Sequence, residues 1–114
     1  MTETTQSKTD VIRTLNDKLR QGQDPSGRIM ITQGISAAGD FFVRDVIKAV
    51  QSFEAFDADN DPHGEHDFGA LTVDDRKIFF KIDYYDRALA GGSPDPADPR
   101  VTTRVLTIML AEEY

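Results

Sequence analysis

Two histidines, His63 and His66, sit inside one acidic run, Asn60-Asp61-Pro62-His63-Gly64-Glu65-His66-Asp67-Phe68-Gly69, and Lys81-Ile82-Asp83-Tyr84-Tyr85-Asp86 follows it. Both histidines of the chain are gathered here with carboxylates, a lysine and two tyrosines, side chains able to move protons or hold a metal. Three chemistries have to be weighed. A calcium loop would use Asp57, Asp59 and Asp61 at alternate positions, but its sixth position is Pro62 instead of glycine and its twelfth is Phe68 instead of glutamate. That excludes an EF-hand and leaves only a divalent-cation site of no standard type. A transition-metal site would draw on His63, Glu65 and His66. Their H-x-x-H spacing lacks the helical HExxH frame, and Pro62 and Gly64 oppose a helix here.

Acid–base chemistry needs an imidazole beside a carboxylate, and the strand pattern offers one. Residues His66–Val73 and Arg76–Tyr85 flank Asp74-Asp75 and read as a β-hairpin with a tight turn. Pairing Val73 with Arg76 puts Leu71, Val73, Ile78, Phe80, Ile82 and Tyr84 on one apolar face. A slip of one residue would send that set to water, so the register is well specified. The same register sets His66 opposite Asp83, with Lys81 and Tyr85 nearby. A carboxylate there would orient the imidazole as a general base, Lys81 would stabilise negative charge, and Tyr85 would donate a proton. An ordinary cross-strand polar cluster uses the same four residues. Ser93 is the one hydroxyl in a suggestive loop, and no nucleophile elbow or phosphate-binding glycine loop accompanies it.

Recognition is the other use for this region. Residues 1–53 carry seven bases and six acids, whereas residues 54–114 carry six bases and fourteen acids; from Glu54 to Asp75 there are eight acids and no lysine or arginine. Such a field repels phosphate backbones, so the acidic half is not expected to bind nucleic acid directly. It suits a basic protein surface or a divalent cation, while a solvating acidic face is the plain alternative. The candidate binding residues are Asp57, Asp59, Asp61, Glu65, Asp67 and Phe68. Phe68, Phe79 and Tyr85 fall on the non-core face of the hairpin, and Phe41 lies off its helix stripe, so exposed aromatics join the carboxylates.

The elements that must position these residues follow from pattern. After a polar start at residues 1–7, expected to lack structure, Ser7 or Thr9 can cap a helix whose stripe is Val11, Ile12, Leu15 and Leu19. Gly22 and Asp24-Pro25-Ser26-Gly27 end it. Arg28–Thr32 reads as a strand, Gly34–Gly39 as a small-residue bend, and Asp40 as the cap of a second helix with Phe42, Val43, Val46, Ala49, Val50 and Phe53 inward. Glu54–Glu65 is an acidic loop. Residues 86–100, rich in Gly, Pro and Asp, form a long connection, and Val101–Ala111 reads as a strand buried on both sides in preference to a helix. The expected fold is a single α+β domain, two helices on a mainly antiparallel sheet of about four strands in the order α-β-α-β-β-β.

The chain has 114 residues and a net charge of −7, with no cysteine, so disulfides, thiolate metal sites and a cysteine nucleophile are excluded. No apolar run approaches a membrane span, and Met1-Thr2-Glu3-Thr4-Thr5-Gln6-Ser7 has no secretory core, so the expected location is the cytoplasm.

The segment from Phe53 through the two-histidine run, the block Lys81 to Asp86, Asp95-Pro96-Ala97-Asp98-Pro99 and the ending Arg104-Val105-Leu106-Thr107-Ile108-Met109-Leu110-Ala111-Glu112-Glu113-Tyr114 resembles a bacterial family, domain of unknown function 3768. The resemblance runs from the first helix to Tyr114, with Phe80 standing where tryptophan is expected. It implies carriage on plasmids and other mobile elements and brings no activity with it. Together, charge and context lead to a small acidic binding protein that engages a basic, nucleic-acid-handling protein as a mimic or inhibitor. The alternative is a hydrolase or metal-assisted enzyme built on His66, Asp83 and Lys81.

Overall fold

A computed structural model of the chain describes residues 7–114. Helix α1 (Lys8–Arg20) starts at Ser7, whose hydroxyl accepts from the Asp10 amide. Of the start expected to lack structure, Ser7 is therefore an ordered cap, and residues 1–6 lie outside the described residues. Strand β1 (Arg28–Ile31) leads into a short helix α2 (Gln33–Ala37). The expected small-residue bend is thus one helical turn, because Ile35 offers a fully buried anchor within it. Helix α3 (Asp40–Gln51) follows Gly39, which stands at φ +104° in its cap position, so Asp40 is the first helical residue and not the cap.

Strands β2 (Phe68–Val73), β3 (Arg76–Tyr85) and β4 (Thr103–Leu110) complete a sheet in the order β1-β4-β3-β2, and residues 111–113 close the chain as a 3₁₀ turn. The fold is α+β as expected: both β2–β3 and β3–β4 are antiparallel, while β1 runs parallel to β4. The hairpin register is the expected one, with Val73 opposite Arg76 and Phe68 opposite Lys81. Its two-residue corner places Asp74 and Asp75 at φ +50° and +64°, the left-handed pair a type I′ turn requires.

All three helices cover one face of the sheet. Leu19, Ile35, Phe42, Val46, Val50 and Phe53 meet Ile78, Phe80, Ile82, Leu106, Ile108 and Leu110 in a single apolar cluster. Close packing at its centre needs Gly69: a Cβ there would sit 2.2 Å from Phe80 Cε2. Among the described residues no α-helix lies on the opposite face of the sheet. Among the described residues no helix is long and apolar enough to cross a membrane.

Candidate functional site

The polar residues that the sequence groups together are divided by the sheet. His66 does not extend β2; it precedes the first ladder pair and adopts φ +56°. That left-handed turn sends its ring to the helix side, where Nδ1–H donates to Asp17 Oδ1 of α1 at 2.8 Å and Nε2 lies 3.6 Å from Asp61 Oδ2. The ring also stacks on Phe56, with centroids 3.8 Å apart. Asp83 points to the other side, where it pairs with Lys81 at 3.1 Å. Lys81 is held protonated above its usual range chiefly by that hydrogen bond. The expected His66–Asp83 dyad with Lys81 and Tyr85 does not assemble: the register is right, but the pleat that would align the two groups begins only at Phe68.

The helix side instead carries a buried network. Asn16, fully buried on the inner stripe of α1, donates through Nδ2 to the Glu65 carbonyl at 3.0 Å and to the Tyr84 hydroxyl at 2.8 Å. Its Oδ1 accepts from Arg104 Nε at 2.9 Å, and the Arg104 Nη2 donates to the Pro96 carbonyl. Tyr84 in turn donates to Glu65 Oε1 at 2.8 Å. Burial pushes the Tyr84 phenol well above its ordinary value and lowers that of the Arg104 guanidinium. Beside them, Arg20 donates through Nη1 to the carbonyls of Val50, Gln51 and Phe53 at the C-terminal end of α3, and through Nη2 to Asp17 at 3.1 Å. A cation at that end complements the helix dipole. Arg20 Nε is the one buried side-chain polar atom left without a partner among the described residues. These contacts fasten α1, the acidic loop and the sheet to one another.

Asn16, Asp17, Arg20, Tyr84 and Arg104 are absent from the sequence-derived candidates. Asn16 did carry a signal, since it falls four residues after Ile12 and three before Leu19, on the stripe itself.

The acidic loop is ordered by its own residues. Asp57 Oδ1 accepts from the amides of Asp59 and Asn60, each at 2.9 Å, and Asn60 donates back to the Ala55 carbonyl at 2.7 Å. Glu54, Asp57 and Asp59 are exposed and make no ion pair among the described residues. Asp61 is buried and accepts from the His66 amide, so it is unavailable as a surface contact. Glu65 is engaged by Tyr84, and Asp67 is half-buried, its carboxyl raised mainly by that burial. His63 is exposed, while His66 and Glu65 have the partners just described. Among the described residues no three His, Asp or Glu side chains are placed to hold a metal ion, so the His63, Glu65 and His66 set does not converge.

Phe68 lies on the uncovered face, as the register requires. There it meets Phe79 at 5.2 Å and Tyr114 at 6.0 Å between ring centroids, and Phe79 meets Tyr114 at 5.7 Å. Met109, buried, is the cross-strand partner of Phe79. Toward the other end, Arg28, Met30, Tyr85, Leu89 and Val105 line an open cleft of about 300 Å³. The strand positions of this face hold Arg28, Lys77 and Lys81 against a single acid, Asp83. Phe41 is exposed on α3, where the Arg44 guanidinium covers its ring.

No curated protein and no solved structure matches the chain. A family model does match, over residues 31–113, which is most of the sequence. The chain belongs to the family described as protein of unknown function DUF3768.

Proposed function

We propose that this protein is a small acidic binding protein whose loop between α3 and β2 engages a basic surface on a protein that handles nucleic acid. The observation that carries this is the set of exposed carboxylates Glu54, Asp57 and Asp59, without counter-ions among the described residues, on a loop braced by Asp57 and Asn60. Fixed anions lose less entropy on meeting cations than anions on a floppy loop do. Their long-range attraction raises the rate of encounter with a basic partner. In this reading the protein serves a mobile element in a bacterial cytoplasm and competes with nucleic acid for its target, as a mimic or inhibitor. The enzymatic alternative required His66 beside Asp83 and Lys81, and the geometry no longer supplies that constellation.

Capture of partners from a bacterial host extract, at low and at high salt, tests the proposal. Basic nucleic-acid-binding proteins should be retained at low salt, released at high salt, and lost with the double variant Asp57→Lys/Asp59→Lys. Asp61 is left out of the variant because a lysine there would be buried. Retention indifferent to salt and to the double variant would refute the acidic loop as the contact.

A further inference from the structure

We propose that the uncovered face of the sheet binds single-stranded nucleic acid, stacking bases on its aromatic rings and holding phosphates with Arg28, Lys77 and Lys81. This goes beyond the acidic loop and uses a different surface. Rings stand at both ends of the face: Phe68, Phe79 and Tyr114 form a cluster at one end, and Tyr85 stands at the other. Phe79 and Tyr85 lie six residues apart on β3, a span of about 20 Å that accommodates several nucleotides. Tyr85 and Tyr114 are exposed at 36% and 77%, so both rings are open to a ligand. Beside Tyr85 is the cleft of about 300 Å³, apolar in its walls and with Arg28 at its edge, a shape that suits a flat base with its phosphate.

Charge selects among occupants. Three cations face one carboxylate on these strand positions, the reverse of the chain's net charge of −7. At physiological salt the screening length is about 8 Å, so the charges nearest the face weigh most in contact. The Lys81–Asp83 pair is half-exposed, and such pairs exchange partners at little cost. Two copies packed face to face would bring like-charged surfaces together, which disfavours a self-dimer on this face. An acidic peptide would satisfy the cations but leave the rings without planar partners. A duplex hides its base faces, whereas an unpaired strand offers both phosphates and rings.

The test is fluorescence anisotropy with labelled oligothymidylate and oligouridylate of roughly twelve nucleotides, a length within reach of one such platform. Saturable binding is expected for one or both strands, the two arms telling DNA from RNA. With three phosphate contacts, the log–log slope of affinity against salt should be about −2. Polyglutamate and a duplex of equal length should bind at least about tenfold more weakly, and Phe79→Ala should cost about tenfold through lost stacking. Lys81→Glu and Arg28→Glu lie on the surface, do not disturb the core, and should abolish binding, whereas Asp57→Lys/Asp59→Lys should retain it. The proposal is overturned by no binding at the lowest salt, by duplex or polyglutamate binding as tightly as single strands, or by Lys81→Glu and Arg28→Glu binding normally. Sedimentation showing a dimer that Lys81→Glu dissociates would overturn it as well, by assigning the face to self-association.

Discussion

The imidazole of His66 lies flat on the ring of Phe56, the two planes 5° from parallel, while its Nδ1–H reaches across 49 residues of sequence to Asp17. Phe56 stands edge-on to Phe53 and Phe80, so the histidine is the outermost layer of an aromatic stack rooted in the core. Its place is architectural: it ties the acidic loop to α1.

Replacing His66 by alanine should therefore lower stability. The stacked contact contributes about 0.5–1.5 kcal/mol and the hydrogen bond to a carboxylate about 1.5–3 kcal/mol, discounted for partial exposure to roughly 2 kcal/mol in all. Urea denaturation gives the value directly. A midpoint equal to that of the parent protein would contradict a structural role for this ring.

Asn16→Ala should be more damaging. It strips Arg104 Nε of its acceptor inside the protein and leaves the Tyr84 hydroxyl and the Glu65 carbonyl with fewer partners. Leaving a buried donor or acceptor unsatisfied costs about 1–3 kcal/mol, and more when the group is charged. A loss below 1 kcal/mol in equilibrium unfolding would show that water replaces the amide without penalty.

Gly69→Ala probes packing alone. The added methyl would approach Phe80 Cζ to 2.5 Å and Phe53 Cε1 to 2.9 Å, both rings being held on several sides. Overpacking of this kind costs about 1–3 kcal/mol, and a thermal melt should record a matching fall. An unchanged melting temperature would mean that the two rings move aside freely.

Glu113 clamps the chain end to α2. It accepts from the Thr32 hydroxyl at 2.6 Å, from the Gly34 amide at 2.9 Å and from the Leu110 amide at 2.9 Å. These bonds, the Thr32 hydroxyl foremost, hold its carboxyl below the usual glutamate range. A depressed value stabilises the fold above the ordinary pKa of about 4.3 and is lost as pH falls through the folded value. Glu113→Gln should thus be less stable than the parent at neutral pH, and the gap should close in acid. A gap that is constant with pH would exclude the ionised clamp.

Asp67 works in the opposite direction. Burial raises its carboxyl, with Glu65 and Asp61 adding to the effect, so its protonated form is favoured on folding. The favourable contribution is present below the ordinary value of about 3.9 and disappears as pH rises through the folded one. Asp67→Asn should accordingly stabilise the protein at neutral pH, by less as the solution becomes acidic. Destabilisation at neutral pH would show that its ionised form makes a contact worth more than its burial costs.

The hairpin register could be read from sequence because alternation along Leu71–Val73 and Ile78–Tyr84 admits one pairing, and the last strand because Val105, Leu106, Ile108, Met109 and Leu110 leave neither face polar and β-branched residues are frequent there. His66 could not be placed this way. Its side chain is aimed by a single positive φ, and periodicity carries no information about where a strand begins to pleat. The turn of α2 was hidden because Gly34, Ser36 and Ala37 have the composition of a bend, and only tertiary burial of Ile35 makes it helical. Summed charge carries no information about placement either. Counting residues 54–114 together mixes acids of the loop with Lys77 and Lys81, which the sheet places on the other side.

The family match begins at Ile31, so α1 and most of β1 lie upstream of it, yet Asn16, Asp17 and Arg20 come from that helix. A recombinant fragment trimmed to the matched span would strand two guanidinium or phenol groups, Arg104 and Tyr84, in a cavity stripped of their keystone amide, and would release the end of α3 from its arginine lock. The helix that braces this side of the sheet thus lies outside the segment by which the family is recognised, and a fragment cut to that segment should unfold at a lower urea concentration than the 114-residue chain.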